Sequence, residues 1–195
     1  MEDSLKTTCW INAAALAAML AFAAAPTPLV AQPGDDPPAR KITSCHDDPA
    51  FHEMDFWLGE WTVKAGTRVV GTNRIEKILK GCAVVEHWTA EDGSQGNSLF
   101  YYDSNTQAWK QVWVTESAYA PGGLKEKTLV ERLNGGGLRF QGEITRPDGE
   151  IYLDRTTLTP NFDGTVRQWI QISTDGGEMW TTVFDATYER KAGAR

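Results

Sequence analysis

The sequence predicts an all-β fold in which antiparallel strands, consecutive along the chain, close into a barrel of eight to ten strands. Three observations support this prediction. Turn signals rich in Asp-Gly recur every ~10–18 residues, and such dipeptides tolerate the positive φ of tight hairpins. The segments between them alternate in polarity and are rich in β-branched and aromatic residues. No helical period of useful length appears after residue 60.

The turns divide this part of the chain into ten predicted strands. An open antiparallel sheet of that width would expose two edges, whereas a closed barrel exposes none. A β-sandwich is the alternative architecture. The strands are predicted at residues 61–66, 68–79, 83–90, 96–103, 109–115, 126–133, 138–145, 151–159, 166–173 and 180–188.

One short helix is predicted before the first strand. Asp47 or Asp48 can cap its N-terminus, Pro49 suits its first turn, and Gly59 ends it. Its apolar face would carry Phe51, Met54 and Leu58.

The first 31 residues differ in composition from the rest of the chain. Residues 13–25 form an unbroken apolar run that is shorter than the ~18 residues of a membrane-spanning helix. We therefore predict a signal peptide at residues 1–31, with an Ala-rich helix of the mature protein as the alternative. Residues 32–43 are predicted to be a disordered linker, 44–190 the barrel domain and 191–195 a tail. The protein is predicted to be exported, periplasmic or secreted, and not to span a membrane after cleavage.

Cleavage of the signal peptide would also change the number of cysteines. Cys9 would leave with it, and the remaining pair, Cys45 and Cys82, predicts a disulfide. Two free buried thiols are the alternative. Neither cysteine lies near a second His/Cys set, and His87 is expected to point outward. We therefore predict no metal site and no cofactor.

The composition is that of a globular protein. With 41% hydrophobic and 23% charged residues, it excludes a fully disordered or collagen-like chain. The formal net charge is −7 and no basic patch stands out, so nucleic acid is not a predicted partner. No Gly-x-Ser-x-Gly elbow, phosphate-binding loop or dinucleotide fingerprint is present.

Three segments carry a family resemblance: residues 55–63 (DFWLGEWTV), 81–88 (GCAVVEHW) and 173–180 (STDGGEMW). The chain resembles a bacterial family of exported domains of unknown function, whose members look like calycin-type barrels, similar to lipocalins and nitrobindins. The resemblance implies a calycin-like barrel and no established reaction. The third segment also resembles the Asp-box of sialidases. It occurs once, so we interpret it as a hairpin-stabilising turn in which Asp175 accepts backbone N–H bonds and Trp180 packs beneath.

Alternation along the strands predicts a lumen with aromatic walls and a few polar side chains. In the strand at 151–159, the face that carries Ile151, Leu153, Arg155 and Thr157 is expected to point inward. Glu86 is expected in the same lumen, where it could pair with Arg155. The predicted ligand-binding residues are Trp88, Ser98, Tyr102, Trp109, Gln111, Trp113, Arg155 and Gln168.

Three functions are compatible with such a barrel. The first is binding of a small apolar or aromatic ligand in the lumen. The second is an enzyme on the same scaffold, such as an isomerase, cyclase or hydratase, in which Glu86 acts as general acid or base and Arg155 stabilises negative charge. The third is a structural or interaction module of the cell envelope. A filled core with an internal polar network is the alternative to a cavity.

Overall fold

The computed structural model describes residues 44–117 and 122–191. The predicted signal peptide, the predicted linker and the tail beyond Lys191 lie outside the described residues. Within those ranges, no helix combines the length and the apolar character needed to cross a bilayer. The ten strands are Gly59–Ala65 (β1), Arg68–Ile78 (β2), Ala83–Ala90 (β3), Gln95–Asp103 (β4), Ala108–Thr115 (β5), Leu124–Arg132 (β6), Leu138–Thr145 (β7), Ile151–Pro160 (β8), Val166–Ser173 (β9) and Thr181–Arg190 (β10).

These strands form one closed antiparallel barrel, so the predicted fold class is confirmed. Each strand pairs with its neighbours along the chain, and β1 pairs with β10, where Trp61 lies opposite Arg190. All ten predicted strands are present, with their ends within two residues of the prediction. The closed barrel replaces the sandwich alternative.

The predicted N-terminal helix is divided into two short 3₁₀ helices, Pro49–His52 and Asp55–Trp57. The Asp48 side chain caps the first by accepting a bond from the Ala50 N–H, as predicted. Met54, at φ −101° and ψ 5°, leaves helical geometry and separates the two. The division turns the Trp57 side chain into the barrel, where it is fully buried.

The two helices close one end of the barrel through aromatic contacts. The Trp57 ring lies edge-on to Phe100 and Tyr188, with centroids 5.7 Å and 5.8 Å away. Trp109 donates its indole N–H to the Ala50 carbonyl at 3.0 Å, and Trp61 donates to the Trp57 carbonyl at 2.9 Å. Because buried indole N–H groups need an acceptor, these bonds fix the helices on the barrel.

The predicted disulfide between Cys45 and Cys82 is confirmed. Cys82 follows the 3₁₀ turn Leu79–Gly81, which joins β2 to β3. The bond therefore ties the segment before the helices to the barrel wall.

The turn between β9 and β10 has the contacts expected from its sequence. Asp175 accepts the backbone N–H of Met179 at 3.0 Å, and Ser173 accepts that of Gly177 at 2.9 Å. Trp180 donates its indole N–H to the Gly177 carbonyl at 3.0 Å. The turn is thus held by its own side chains.

Candidate functional site

A cavity of about 280 Å³ lies in the half of the barrel away from the helices. Strand β5 shows this placement, because Trp109 contacts the first helix and Trp113, four residues further on, lines the cavity. Val183 lines it too and is 51% exposed, so the cavity reaches the barrel rim. The lining residues are Glu86, Trp88, Gln111, Trp113, Lys125, Lys127, Thr156, Gln168, Ile170, Val183, Phe184 and Tyr188.

Two tryptophan rings in the cavity wall lie over glycines of neighbouring strands. A Cβ added to Gly96 would lie 2.5 Å from the Trp113 ring, and one added to Gly71 would lie 2.6 Å from the Trp88 ring. Such distances are far below van der Waals contact, and at residue 71 the added Cβ would also lie 2.4 Å from the Thr89 carbonyl oxygen, so a side chain at either position would displace its neighbours. The two glycines therefore leave room for the indole rings close to the backbone of the neighbouring strands.

The inner end of the cavity is a buried hydrogen-bond network centred on Glu86. Its Oε1 accepts from Asn73 Nδ2 at 2.7 Å and its Oε2 accepts from Ser98 Oγ at 2.6 Å. Asn73 Nδ2 also lies 3.2 Å from the Tyr188 hydroxyl, which donates to Gln168 Oε1 at 2.7 Å. Five strands thus contribute side chains to one network, and a buried carboxyl requires such partners.

Burial raises the pKa of two groups in this network, Glu86 and Tyr188. It raises the pKa of Glu86, although the hydrogen bonds from Ser98 and Asn73 act in the opposite direction. Burial, together with the nearby Glu86, also raises the pKa of the Tyr188 phenol well above its usual value. Tyr188 is therefore a neutral hydrogen-bonding group, and Glu86 binds its proton more tightly than an exposed glutamate.

A second cluster of buried polar side chains lies on the wall opposite Glu86. In it, two lysines of β6 form ion pairs with one carboxylate of β8. Lys127 Nζ lies 2.5 Å from Asp154 Oδ1 and donates to Thr156 Oγ1 at 2.6 Å. Lys125 Nζ donates to Asp154 Oδ2 at 2.6 Å. Both lysines and Thr156 line the cavity, whereas the fully buried Asp154 lies behind them.

The charges in this group shift each other's pKa. Burial is the main reason that the pKa of Lys127 falls to about 8; Asp154 raises it and Lys125 lowers it further. Burial would raise the pKa of Asp154, but the two ammonium groups outweigh it, so this pKa lies below its usual value. Asp154 is therefore ionised at neutral pH.

Apart from Arg155, the predicted site residues divide into three groups. Glu86, Trp88, Gln111, Trp113 and Gln168 line the cavity. Ser98 lies behind Glu86 as its hydrogen-bond donor and accepts from Gln111 Nε2 at 3.0 Å. Tyr102 and Trp109 lie at the closed end, where both rings contact Phe51 of the first helix.

Arg155 does not face the lumen, and the prediction that it does is wrong. Its Nε donates to Gln171 Oε1 at 2.9 Å, and its guanidinium lies 3.8 Å from the centre of the Trp180 ring, on the outer face of the barrel. The suggested pairing of Glu86 with Arg155 is therefore absent, and Arg155 does not lie in the lumen, where the enzyme hypothesis needs it to stabilise negative charge.

The whole predicted inner face of β8 is reversed. The side chains that point inward are Tyr152, Asp154, Thr156 and Leu158, all at most 6% exposed. The β9–β10 turn covers the outside of β8, since Gly177 and Trp180 pack there on Leu153 and Arg155. This cover allows Leu153 to pack on the outside, while the lysines of β6 pair with Asp154 on the inside, so polarity alone does not identify the inner face of β8.

Sequence reasoning missed several residues that line the cavity, above all the lysine pair. Lys125 and Lys127 alternate with Leu129 on one face of β6, and the buried Leu129 is the signal that marks this face as internal. Thr156 was assigned to the outer face of β8. Phe184 and Tyr188 have the same parity in β10 and could have been found by alternation.

No metal site was predicted, and the described residues contain no group of three or more His, Cys, Asp or Glu side chains suited to a metal ion. His87 lies on the outer face, as expected, with Nε2 3.0 Å from Glu76 Oε1. His52 lies at the closed end, bonded to Asp55 and to the His46 carbonyl.

No protein-family model matches the chain, and no curated protein matches it either. The resemblance to a family of exported domains therefore stays a prediction.

Proposed function

We propose that this protein binds one small, largely apolar molecule inside the barrel. The observation that supports the proposal most directly is the aromatic cavity, in which Trp88 and Trp113 lie over Gly71 and Gly96. A barrel of this strand number can accommodate one small ligand. Side chains larger than glycine at residues 71 and 96 would push the indoles inward and help to fill the lumen.

The size and lining of the cavity limit the ligand. A volume of about 280 Å³ is near the lower end of the ~300–1,000 Å³ range of small-molecule pockets. We therefore propose a ligand with a single ring or a short chain. Flat indole faces and the edge of Phe184, whose ring centroid lies 6.2 Å from that of Trp88, favour an aromatic or planar apolar body.

We further propose that the protein acts outside the cytoplasm. The disulfide between Cys45 and Cys82 supports this location, since disulfides persist in oxidising compartments. The predicted signal peptide agrees with it.

The proposal is tested by titrating the purified protein with neutral ligands such as phenylacetamide and hexanamide, using tryptophan fluorescence and calorimetry. Gly96→Ala is expected to weaken binding by ~10-fold or more, because the added methyl group forces Trp113 into the cavity. Asn97→Ala, an exposed position on the same strand, is the matched control and is expected to bind as the wild type does.

A second pair of variants keeps the test decisive if Gly96→Ala fails to fold. Trp113→Phe should reduce the ligand-dependent fluorescence change, leaving the part due to Trp88, whereas Trp169→Phe on the outer face should preserve the full change. Equal signals from the two variants, or no binding to the wild type, would overturn the proposal. Native mass spectrometry of protein purified from the cell envelope should detect a co-purified small molecule.

A further inference from the structure

We infer that the ligand carries a carboxylate, and that Lys125 and Lys127 bind this group while the aromatic wall holds its apolar body. This inference rests on the proposed function and specifies the chemical class of the ligand.

The first argument is the balance of charge. Two ammonium groups line the cavity, and the only carboxylate that they contact among the described residues is that of Asp154, behind them. This carboxylate can neutralise one of the two positive charges. A second carboxylate, supplied by a ligand, would neutralise the other, and charge-assisted bonds to lysine are among the stronger hydrogen bonds.

The second argument concerns the other titratable groups that face the lumen, Glu86 from β3 and Tyr188 from β10. Both oxygens of Glu86 already accept bonds, from Asn73 and Ser98, and the structure places no lysine within ion-pair distance of them. Burial raises the pKa of Glu86 and that of Tyr188, and Glu86 and Lys127 affect each other's pKa only through charge at a distance. Neither group therefore forms an ion pair with the lysines.

The third argument is the number of free donors. An ammonium group has three N–H donors. Lys127 donates one of them to Thr156 and forms an ion pair with Asp154, whereas Lys125 donates one to Asp154. Lys125 therefore retains donors for a ligand at a position where its side chain is 18% exposed.

The fourth argument is the relative position of the lysines and the aromatic wall. Trp113 of β5 lies directly opposite Lys125 of β6 in the strand register, and Gln111 lies opposite Lys127. A carboxylate at the lysines would thus place the attached apolar body against Trp113, with Trp88 and Phe184 completing the wall. The cavity has one charged side and one aromatic side, which matches an amphipathic acid of the size of phenylacetate.

The test compares acids with their amides, which have nearly the same shape but no charge. Calorimetric titrations with phenylacetate and phenylacetamide, and with hexanoate and hexanamide, are carried out at pH 7 and low salt. The wild type is expected to bind each acid ~10-fold or more tightly than its amide. Lys125→Met should reduce this ratio to about one, since it keeps approximately the length of the side chain and removes the charge.

Lys110→Met is the matched control. Lys110 lies on the outer face of β5 in an ion pair with Asp103, so its loss should not alter the preference for acids. Equal affinity for acids and amides, or a preference that persists in Lys125→Met, overturns the inference and leaves the proposed binding function intact. Binding of none of the four compounds counts against both proposals.

Discussion

The substitution Asp154→Asn tests how the buried charges of β6 and β8 support the fold. Asp154 is fully buried and lies within 2.6 Å of both Lys125 Nζ and Lys127 Nζ. Asparagine keeps the shape of the side chain and removes its charge. Breaking a buried ion pair in this way typically costs ~3–5 kcal/mol, because the partner is left charged and unpaired.

Lys127 can lower this cost by releasing its proton. With a pKa of about 8, deprotonation in the wild type costs on the order of 1 kcal/mol at pH 7, and it costs less once Asp154 is absent. Loss of the partly exposed contact between Asp154 and Lys125 adds about 1 kcal/mol. We therefore expect Asp154→Asn to lower the free energy of unfolding by about 2–3 kcal/mol at pH 7.

The loss of unfolding free energy caused by Asp154→Asn is expected to depend on pH. The pKa of Lys127 lies below its unfolded value in the wild type and falls further in the variant. At a pH between the Lys127 pKa of the folded variant and that of the folded wild type, Lys127 is protonated only in the wild type. The difference in free energy of unfolding between the two proteins therefore narrows by up to ~1.4 kcal/mol per pH unit as pH rises. Above pH ~8, Lys127 is neutral in both proteins and the gap levels off at ~1 kcal/mol.

Urea denaturation followed by circular dichroism near pH 6, 7 and 9 measures this gap. Asp185→Asn is the matched control, since Asp185 pairs with Arg167 on the surface and should contribute less than ~1 kcal/mol at every pH. Adding Lys127→Met to Asp154→Asn should recover part of the stability at pH 6, because no unpaired ammonium group remains buried. A deficit that stays constant from pH 6 to 9 would refute the reasoning.

Two further predictions concern stability. The pKa of Glu86 is raised by burial, so the folded wild type loses stability as pH rises from its unfolded pKa of 4.5 to the higher folded value. The free energy of unfolding of Glu86→Gln should therefore rise relative to that of the wild type by up to ~1.4 kcal/mol per pH unit in that window. Urea denaturation at several pH values measures both, and a difference that does not change with pH would contradict this. Replacing Cys45 and Cys82 by serine opens a loop with a sequence separation of 37 and should cost about 4 kcal/mol. Denaturation of the wild type with and without reductant checks the value, and a loss below ~1 kcal/mol would show that the disulfide constrains little.

The strands and turns could be predicted because their signals are local. Gly93, Gly149, Gly164 and Gly176 each follow an aspartate and each have a positive φ, which the Asp-Gly pairs indicated before any contact was known. Closure into a barrel followed from the number of strands and their short connections. The disulfide followed from the presence of one remaining pair of cysteines.

The site was only partly predictable, because the inner face of a strand depends on what covers its outer face. In β8, Trp180 packs on Arg155 outside the barrel, and Asp154 occupies the interior. The sequence of β8 does not indicate this packing, because the residues that cover its outer face belong to the β9–β10 turn. The pairing of Lys125 and Lys127 with Asp154 also joins residues about thirty positions apart, and the residues between them do not determine it.

The pairing of β1 with β10 has a consequence for how the chain can fold. The residues that close the barrel, Trp61 and Arg190, are separated by 129 positions (190 − 61). When the chain is synthesised from its N-terminus, nine strands are complete before the tenth is available. Until then β1 and β9 are unpaired edge strands, to which another chain can add a strand. Because the other pairings join consecutive strands, the long-range pairing of β1 with β10 is expected to form last and to be the slow step. Loss of the last strand, residues 181–190, would therefore expose two pairing edges at once, so that truncation near the C-terminus should lead to aggregation rather than to a smaller soluble barrel.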